Sequence, residues 1–129
     1  MSFTRHSSIL HIMCGILGII LRGNGVASSR VLAKKTAKLL LISESRGKEA
    51  SGVAIVDGEV IRALKCPLSA SELLLRNEFH SIFNVGTKGA RVSIAHARLV
   101  TNGSLEKNSN NQPIIKDGIV GVQIERVHI

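Results

Sequence analysis

Apolar and polar residues recur at two different spacings along the chain, and these spacings predict its elements. The apolar run 14–21 predicts a buried strand. Helical spacing then predicts a helix that begins at a capping Ser28 or Ser29 and runs to about residue 45. Its assigned apolar positions are Val31, Leu32, Leu39, Leu40 and Ile42, and its assigned solvent-facing lysines are Lys34, Lys35 and Lys38. Arg46-Gly47 is expected to end this helix with a left-handed glycine cap.

The rest of the chain predicts short strands around one further helix. Strands over 51–56 and 59–63 are joined at Asp57-Gly58, a strong hairpin signal. Pro67-Leu68-Ser69 begins a helix over about 70–79. The remaining segments are a loop over 84–89, a buried strand over 92–96, a polar loop over 101–111 and a last strand over about 118–122, entered through Gln112-Pro113. This order predicts an α+β fold with antiparallel pairing.

The amino-acid composition and charge limit the classes of protein to which this chain can belong. The length of 129 residues suits one domain or part of one, and 44% hydrophobic residues can build a core. Aromatic residues are only 2%, which disfavours a module that stacks nucleic-acid bases. The net charge is +8, and the first acidic residue is Glu44. We interpret the basic charge of residues 1–43 as solvated charge, with a basic module for nucleic acid or anionic surfaces as the alternative.

The most apolar run, residues 9–21, leaves two interpretations open. Its 13 residues are fewer than the roughly 20 that a membrane-spanning helix needs. The run fits a secretory signal, with Arg5 upstream and Ala27-Ser28-Ser29 as a cleavage site, which would make this a small secreted or membrane-associated protein. It fits a buried strand equally well by periodicity.

Four short motifs follow one another along the chain, and their combination says more about function than any one of them alone. They are Met13-Cys14-Gly15-Ile16-Leu17-Gly18, Arg46-Gly47-Lys48-Glu49-Ala50-Ser51-Gly52, His96-Ala97-Arg98-Leu99-Val100-Thr101-Asn102-Gly103 and Asn110-Asn111-Gln112-Pro113. Together they resemble the glutaminase domain of class II (N-terminal-nucleophile) glutamine amidotransferases, nearest to glucosamine-6-phosphate synthase and its relatives. The resemblance implies part of an αββα sandwich with antiparallel sheets over 14–122, preceded by an extension or removable leader over 1–13 and followed by an off-pattern tail over 123–129.

By this resemblance Cys14 is the nucleophile that forms a glutamyl thioester and releases ammonia. The general base in the family is the α-amine of the same cysteine, so Cys14 must become the first residue. Removal of Met13 after initiation there, or cleavage of a longer peptide, would expose that amine. On its own, Cys14 would be interpreted as a small buried hydrophobe.

The other motif residues are assigned to substrate binding or to support. Arg98 resembles the arginine that grips the α-carboxylate of glutamine, which a guanidinium can do bidentately. Thr101, Asn102 and Gly103 would line the same pocket, although the family often has histidine at the position of Asn102. The residues assigned to structural support are Arg46, Gly47, Ser51, Gly52 and His96. No metal site is expected, because Cys66 lies in no CxxC pattern, and glutamine hydrolysis implies no cofactor.

The resemblance fails after residue 122. The family continues into His-Asn-Gly, whose Asn and Gly form the oxyanion hole, whereas Ile124 and Glu125 stand there in this chain. We therefore expect a truncated copy, weakly active or inactive alone. The expected partners are glutamine and a synthase or transferase domain that receives ammonia, without nucleic acid or membrane, in the cytoplasm. A non-catalytic subunit completed by a partner chain is the remaining alternative.

Overall fold

The computed structural model describes residues 14–22, 26–57, 60–84, 90–99, 111–117 and 119–121. These residues form a mixed α+β structure, as predicted. The elements, in chain order, are β1 (Gly15–Ile20), α1 (Val26–Ser43), a 3₁₀ turn (Glu44–Arg46), β2 (Ala50–Asp57), β3 (Val60–Cys66), α2 (Ala70–Leu74), α3 (Asn77–Ile82), β4 (Val92–Arg98), β5 (Ile114–Lys116) and β6 (Ile119–Gly121). None of the helices in the described residues combines the length and the apolar character that a membrane-spanning segment needs.

Four strands form an antiparallel sheet in the order β1-β4-β2-β3. Asp57 pairs with Val60, so the predicted hairpin is confirmed, while Gly58 and Glu59 lie outside the described residues. The late strand β4 is inserted between β1 and β2, with Gly15 opposite Ala97 and Ala50 opposite Arg98. It is two residues longer than predicted, and this extension brings Arg98 into the sheet.

Helix α1 covers one face of the sheet. Leu32 and Leu40 are fully buried, and the hydroxyl of Thr36 hydrogen-bonds that of Ser93 on β4 at 2.7 Å. The prediction that the helix begins at Ser28 or Ser29 is wrong: it begins at Val26, and the buried Ser29 hydroxyl accepts the Ala90 backbone N–H. The prediction for three apolar positions is also wrong, because Val31, Leu39 and Ile42 are 40–62% exposed.

The end of this helix differs from the prediction as well. Gly47 has φ −169° and ψ 121°, which is extended backbone and not a left-handed cap. The 3₁₀ turn intervenes first, and the Gly47 N–H donates to the Glu44 carbonyl. Glycine is therefore required at this position by its close packing against the backbone of Arg98, and not by the conformation of the helix terminus.

The predicted helix over 70–79 is two helices. Its start is confirmed, because Ser69 caps α2 in a reciprocal capping box with Glu72. Leu75 is the C-cap of α2. The backbone of Arg76 is extended (φ −79°, ψ 137°), so a separate helix, α3, begins at Asn77. This break lets Leu73 and Phe79 both reach the core beneath the sheet.

The polypeptide after β4 forms a small separate hairpin. Strand β5 pairs with β6, with Lys116 opposite Ile119, and Asp117 takes a left-handed φ of 50° at the turn. The sequence predicted only the second of these strands, because residues 114–116 are three residues long and exposed, and they carry no alternating pattern. Predictions for 1–13, 85–89, 101–110 and 122–129 lie outside the described residues.

Candidate functional site

Three strand ends meet at one edge of the sheet. Antiparallel pairing places the start of β1, the end of β4 and the start of β2 side by side, since Gly15 opposes Ala97 and Ala50 opposes Arg98. Cys14 immediately precedes β1 at this edge. Residues that are more than eighty positions apart in the sequence thus become neighbours.

Cys14 is buried beside the last residues of the β4 motif. Its side chain is 6% exposed, and its Sγ lies 3.7 Å from the carbonyl oxygen of Leu99, to which the thiol donates. Leu99 directly follows Arg98. The first and third motifs therefore touch, and the thiol has a defined position relative to the strand that carries the arginine.

Arg98 is buried and held by a side chain from the fourth motif. It is 2% exposed, and its Nη1 donates to Oδ1 of the fully buried Asn111 at 3.0 Å. A neutral amide oxygen fixes one side of the planar guanidinium without adding a charge. Sequence reasoning quoted Asn111 within a motif but gave it no role. Its position directly before Gln112-Pro113, in the fourth motif, is the sequence feature from which a role for Asn111 could have been predicted.

The second motif packs on the third through Gly47. A Cβ built on Gly47 would lie less than 3.0 Å from the carbonyl carbon and oxygen of Arg98 and from the nitrogen of Leu99. The Glu49 N–H donates to the Arg98 carbonyl at 3.2 Å. Only a residue without a side chain allows this approach, so Gly47 determines where the backbone of Arg98 lies.

The second motif also contacts the fourth. A Cβ on Gly52 would lie within 3.0 Å of the Gln112 carbonyl oxygen. Ser51 points to the other face of the strand, where its buried hydroxyl donates to the Leu68 carbonyl at 2.8 Å. Gly52 and Ser51 therefore fix the segment that carries Asn111 and the segment that leads into α2, respectively.

The remaining predicted site residues differ in whether they lie near Arg98. His96 is 1% exposed and stands opposite Gly52, on the same sheet face as Arg98. Arg46 is exposed at the end of the 3₁₀ turn and does not share this buried environment. Thr101, Asn102 and Gly103 lie outside the described residues. In the part of the chain that the structure describes, no three His, Cys, Asp or Glu side chains are grouped so that they could hold a metal ion.

Comparisons with known proteins add no family assignment. No family model matches the chain, and a search of curated proteins found no match. A functional assignment therefore depends on the motifs and on the geometry that joins them.

Proposed function

We propose that this chain carries the nucleophile and the carboxylate-binding arginine of a class II glutamine amidotransferase. The observation that supports this most strongly is that all four motifs meet at one sheet edge. Cys14 contacts Leu99, Gly47 packs on Arg98, and Arg98 is bound by Asn111. The residues to which the proposal assigns a role are thus close together, although they come from four separate segments.

In the proposed reaction the Cys14 thiol transfers its proton to its own free α-amine, and the thiolate attacks the side-chain amide carbon of glutamine. The tetrahedral intermediate expels ammonia, which takes up the proton, and a glutamyl thioester remains on Sγ. Water then hydrolyses the thioester to glutamate and restores the thiol. An α-amine titrates near pH 8, so about a tenth of it is neutral at pH 7 and can accept a proton.

Arg98 would bind the α-carboxylate of glutamine with its fork of N–H donors. Because its side chain is buried and one donor is already bound to Asn111, the guanidinium is oriented before the substrate arrives. Such preorganisation reduces the entropy lost when glutamine binds. The substrate's amide is thereby directed to a fixed distance from the nucleophile.

The identities of Ile124 and Glu125 set the expected level of activity. Neither side chain supplies the neutral donor that the family places in its oxyanion hole, and loss of one such donor lowers rates by about 100–1000-fold. We therefore propose glutamine binding and slow thioester chemistry for this chain by itself. A synthase or transferase domain in the same cytoplasmic compartment would be the consumer of the ammonia.

The αββα sandwich is part of the same proposal. Helix α1 covers one sheet face, and the other face presents Ile16 and Ile20 at 36% and 80% exposure. Residues 112–113 already lie over Gly52 on that second face. Both features are compatible with a second sheet packed there, as the family fold requires.

Covalent labelling tests the nucleophile. A diazoketone analogue of glutamine should alkylate Cys14 with loss of nitrogen gas, and glutamine should protect against it. Cys66 provides an internal control, because it is a half-buried thiol at the end of β3. Intact-mass and peptide mass spectrometry report both the N-terminal residue and the labelled thiol. Equal labelling of the two cysteines, or labelling that glutamine does not slow, would contradict the proposal.

The arginine is tested in the same assay. Arg98→Lys removes bidentate binding, so the concentration of glutamine that protects Cys14 should rise about tenfold or more. Asn111→Asp should act similarly, because a buried carboxylate competes with the substrate for the guanidinium. Undiminished protection in both folded variants would remove Arg98 from the glutamine site.

A further inference from the structure

A groove of about 570 Å³ lies between α1 and α3, away from the Cys14 edge. Its lining residues are Ser29, Arg30, Ala33, Lys34, Ala37, Phe79, His80, Phe83 and Asn84. The volume lies within the range of small-molecule sites, about 300–1000 Å³. Helix α1 packs on the sheet face that carries Ser93, whereas Arg98 belongs to the opposite face, so the groove and the proposed glutamine site are separate.

The floor of the groove is apolar. Phe79 and Phe83 are 1% and 4% exposed, and their ring centroids lie 5.3 Å apart. Across from them α1 contributes Ala33 and Ala37, whose small side chains leave the space open. Because the two rings are themselves buried, a ligand would touch only their exposed margins, and the half-buried Ala33 and Ala37 supply further apolar surface.

The rim of the groove is positively charged. Arg30 and Lys34 are exposed and stand one turn apart on α1, so both side chains can reach one bound group. None of the lining residues in the described chain is acidic, and the whole of α1 contains no aspartate or glutamate. His80 and Asn84 supply polar groups on the opposite wall. An anion here would meet attraction without a neighbouring carboxylate to oppose it.

We propose that this groove binds a small organic anion, with its carboxylate, phosphate or sulfonate between Arg30 and Lys34 and its apolar body against Ala33, Ala37 and the exposed margins of Phe79 and Phe83. This assignment does not depend on the proposed glutaminase chemistry. It predicts a ligand that needs both parts, because the cations alone are solvated and weak, and the floor alone gives no orientation.

Two matched dyes test the proposal in the 129-residue chain. Anilinonaphthalene sulfonate carries the anion, and N-phenylnaphthylamine has the same aromatic body without it; fluorescence titration gives both affinities. In the double variant Arg30→Gln/Lys34→Gln the sulfonate dye should bind about 5–10-fold more weakly. The control Lys35→Gln/Lys38→Gln removes equal charge from exposed positions of the same helix outside the groove, and it should leave binding unchanged. The neutral dye should respond to neither double variant.

A third variant locates the dyes. Ala33→Leu adds volume inside the groove, so it should weaken both dyes by several-fold while circular dichroism remains that of the parent. Three results would each overturn the proposal: no saturable binding of the sulfonate dye, equal weakening in the two double variants, or insensitivity of both dyes to Ala33→Leu.

Discussion

Gly47→Ala tests whether backbone packing between motifs holds the candidate site. The added methyl group would meet three backbone atoms of Arg98 and Leu99 at less than 3.0 Å. Backbone conformation is not the obstacle, because φ −169° is open to alanine. The Arg98 strand is the central neighbour of both β1 and β2, so it has little freedom to retreat.

The magnitude follows from two opposing effects. Alanine restricts the unfolded chain and by itself stabilises by about 0.4–1 kcal/mol. Overpacking in a rigid place costs about 1–3 kcal/mol, and backbone neighbours on a central strand favour the upper part of that range. We expect a net loss of about 2 kcal/mol, which corresponds to a melting temperature lower by about 5–12 °C for a domain of this size.

Gly18→Ala is the matched control. Among the described residues, a Cβ on Gly18 would meet only the Ser93 carbonyl oxygen, at 4.0 Å, which is an ordinary contact, so this variant should be as stable as the parent or slightly more so. Thermal and urea unfolding give both stabilities, and the glutamine-analogue label reports the site. If Gly47→Ala matches Gly18→Ala in stability and in Cys14 labelling rate, Gly47 does not position Arg98, and our reasoning about this contact is refuted.

Three further predictions concern other contacts. Thr36→Val should lower the free energy of unfolding by about 1–3 kcal/mol, since it leaves the buried Ser93 hydroxyl without its partner, and adding Ser93→Ala should recover much of that loss in urea unfolding. Ser69→Ala should lose about 1 kcal/mol of capping at neutral pH. The hydrogen bonds from the Ser69 side chain and backbone lower the pKa of the Glu72 carboxyl below its ordinary 4.5. The part of the capping that the carboxylate supplies is therefore present above that pH and is lost as the pH falls through the lowered pKa, whereas the bond from the Glu72 N–H to the Ser69 hydroxyl remains. An unchanged deficit in acid would contradict the capping box. Burial raises the pKa of the Cys66 thiol, so iodoacetamide should alkylate it more slowly at neutral pH than it alkylates a peptide thiol, and equal rates would show that the thiol is exposed.

Features encoded by a few adjacent residues were predictable from the sequence. The hairpin at Asp57 follows from local turn chemistry, and its strand pairing is confirmed. The start of α2 after Ser69 likewise depends only on a cap within the same turn. Cys14 and Leu17 are buried as the apolar run predicts, but the prediction of a buried strand is wrong for Ile16 and Ile20, which are 36% and 80% exposed on the sheet face opposite α1.

Features set by distant partners were not predictable. Ser29 looked like a cap, but its hydroxyl is used by Ala90, sixty-one residues later, and the helix begins before it. Gly47 looked like a left-handed terminus, but its absent side chain makes room for Arg98. In both cases local chemistry permits two roles, and only packing between remote segments decides which one the residue has.

The candidate site also depends on contacts between residues that are distant in the sequence, and this explains why each motif alone is weak evidence for a site. Strand pairing places Arg98 in the sheet. The orientation of its side chain depends on a hydrogen bond to Asn111, which lies thirteen residues further along the chain. The glycines of the second motif meet the third at Gly47 and the fourth at Gly52. Each motif thus supplies a contact surface for another, and loss of one glycine would disturb residues it never borders in sequence. The proposed chemistry therefore depends on four segments that must be present together, which is the property that the variants of Gly47 and Asn111 measure.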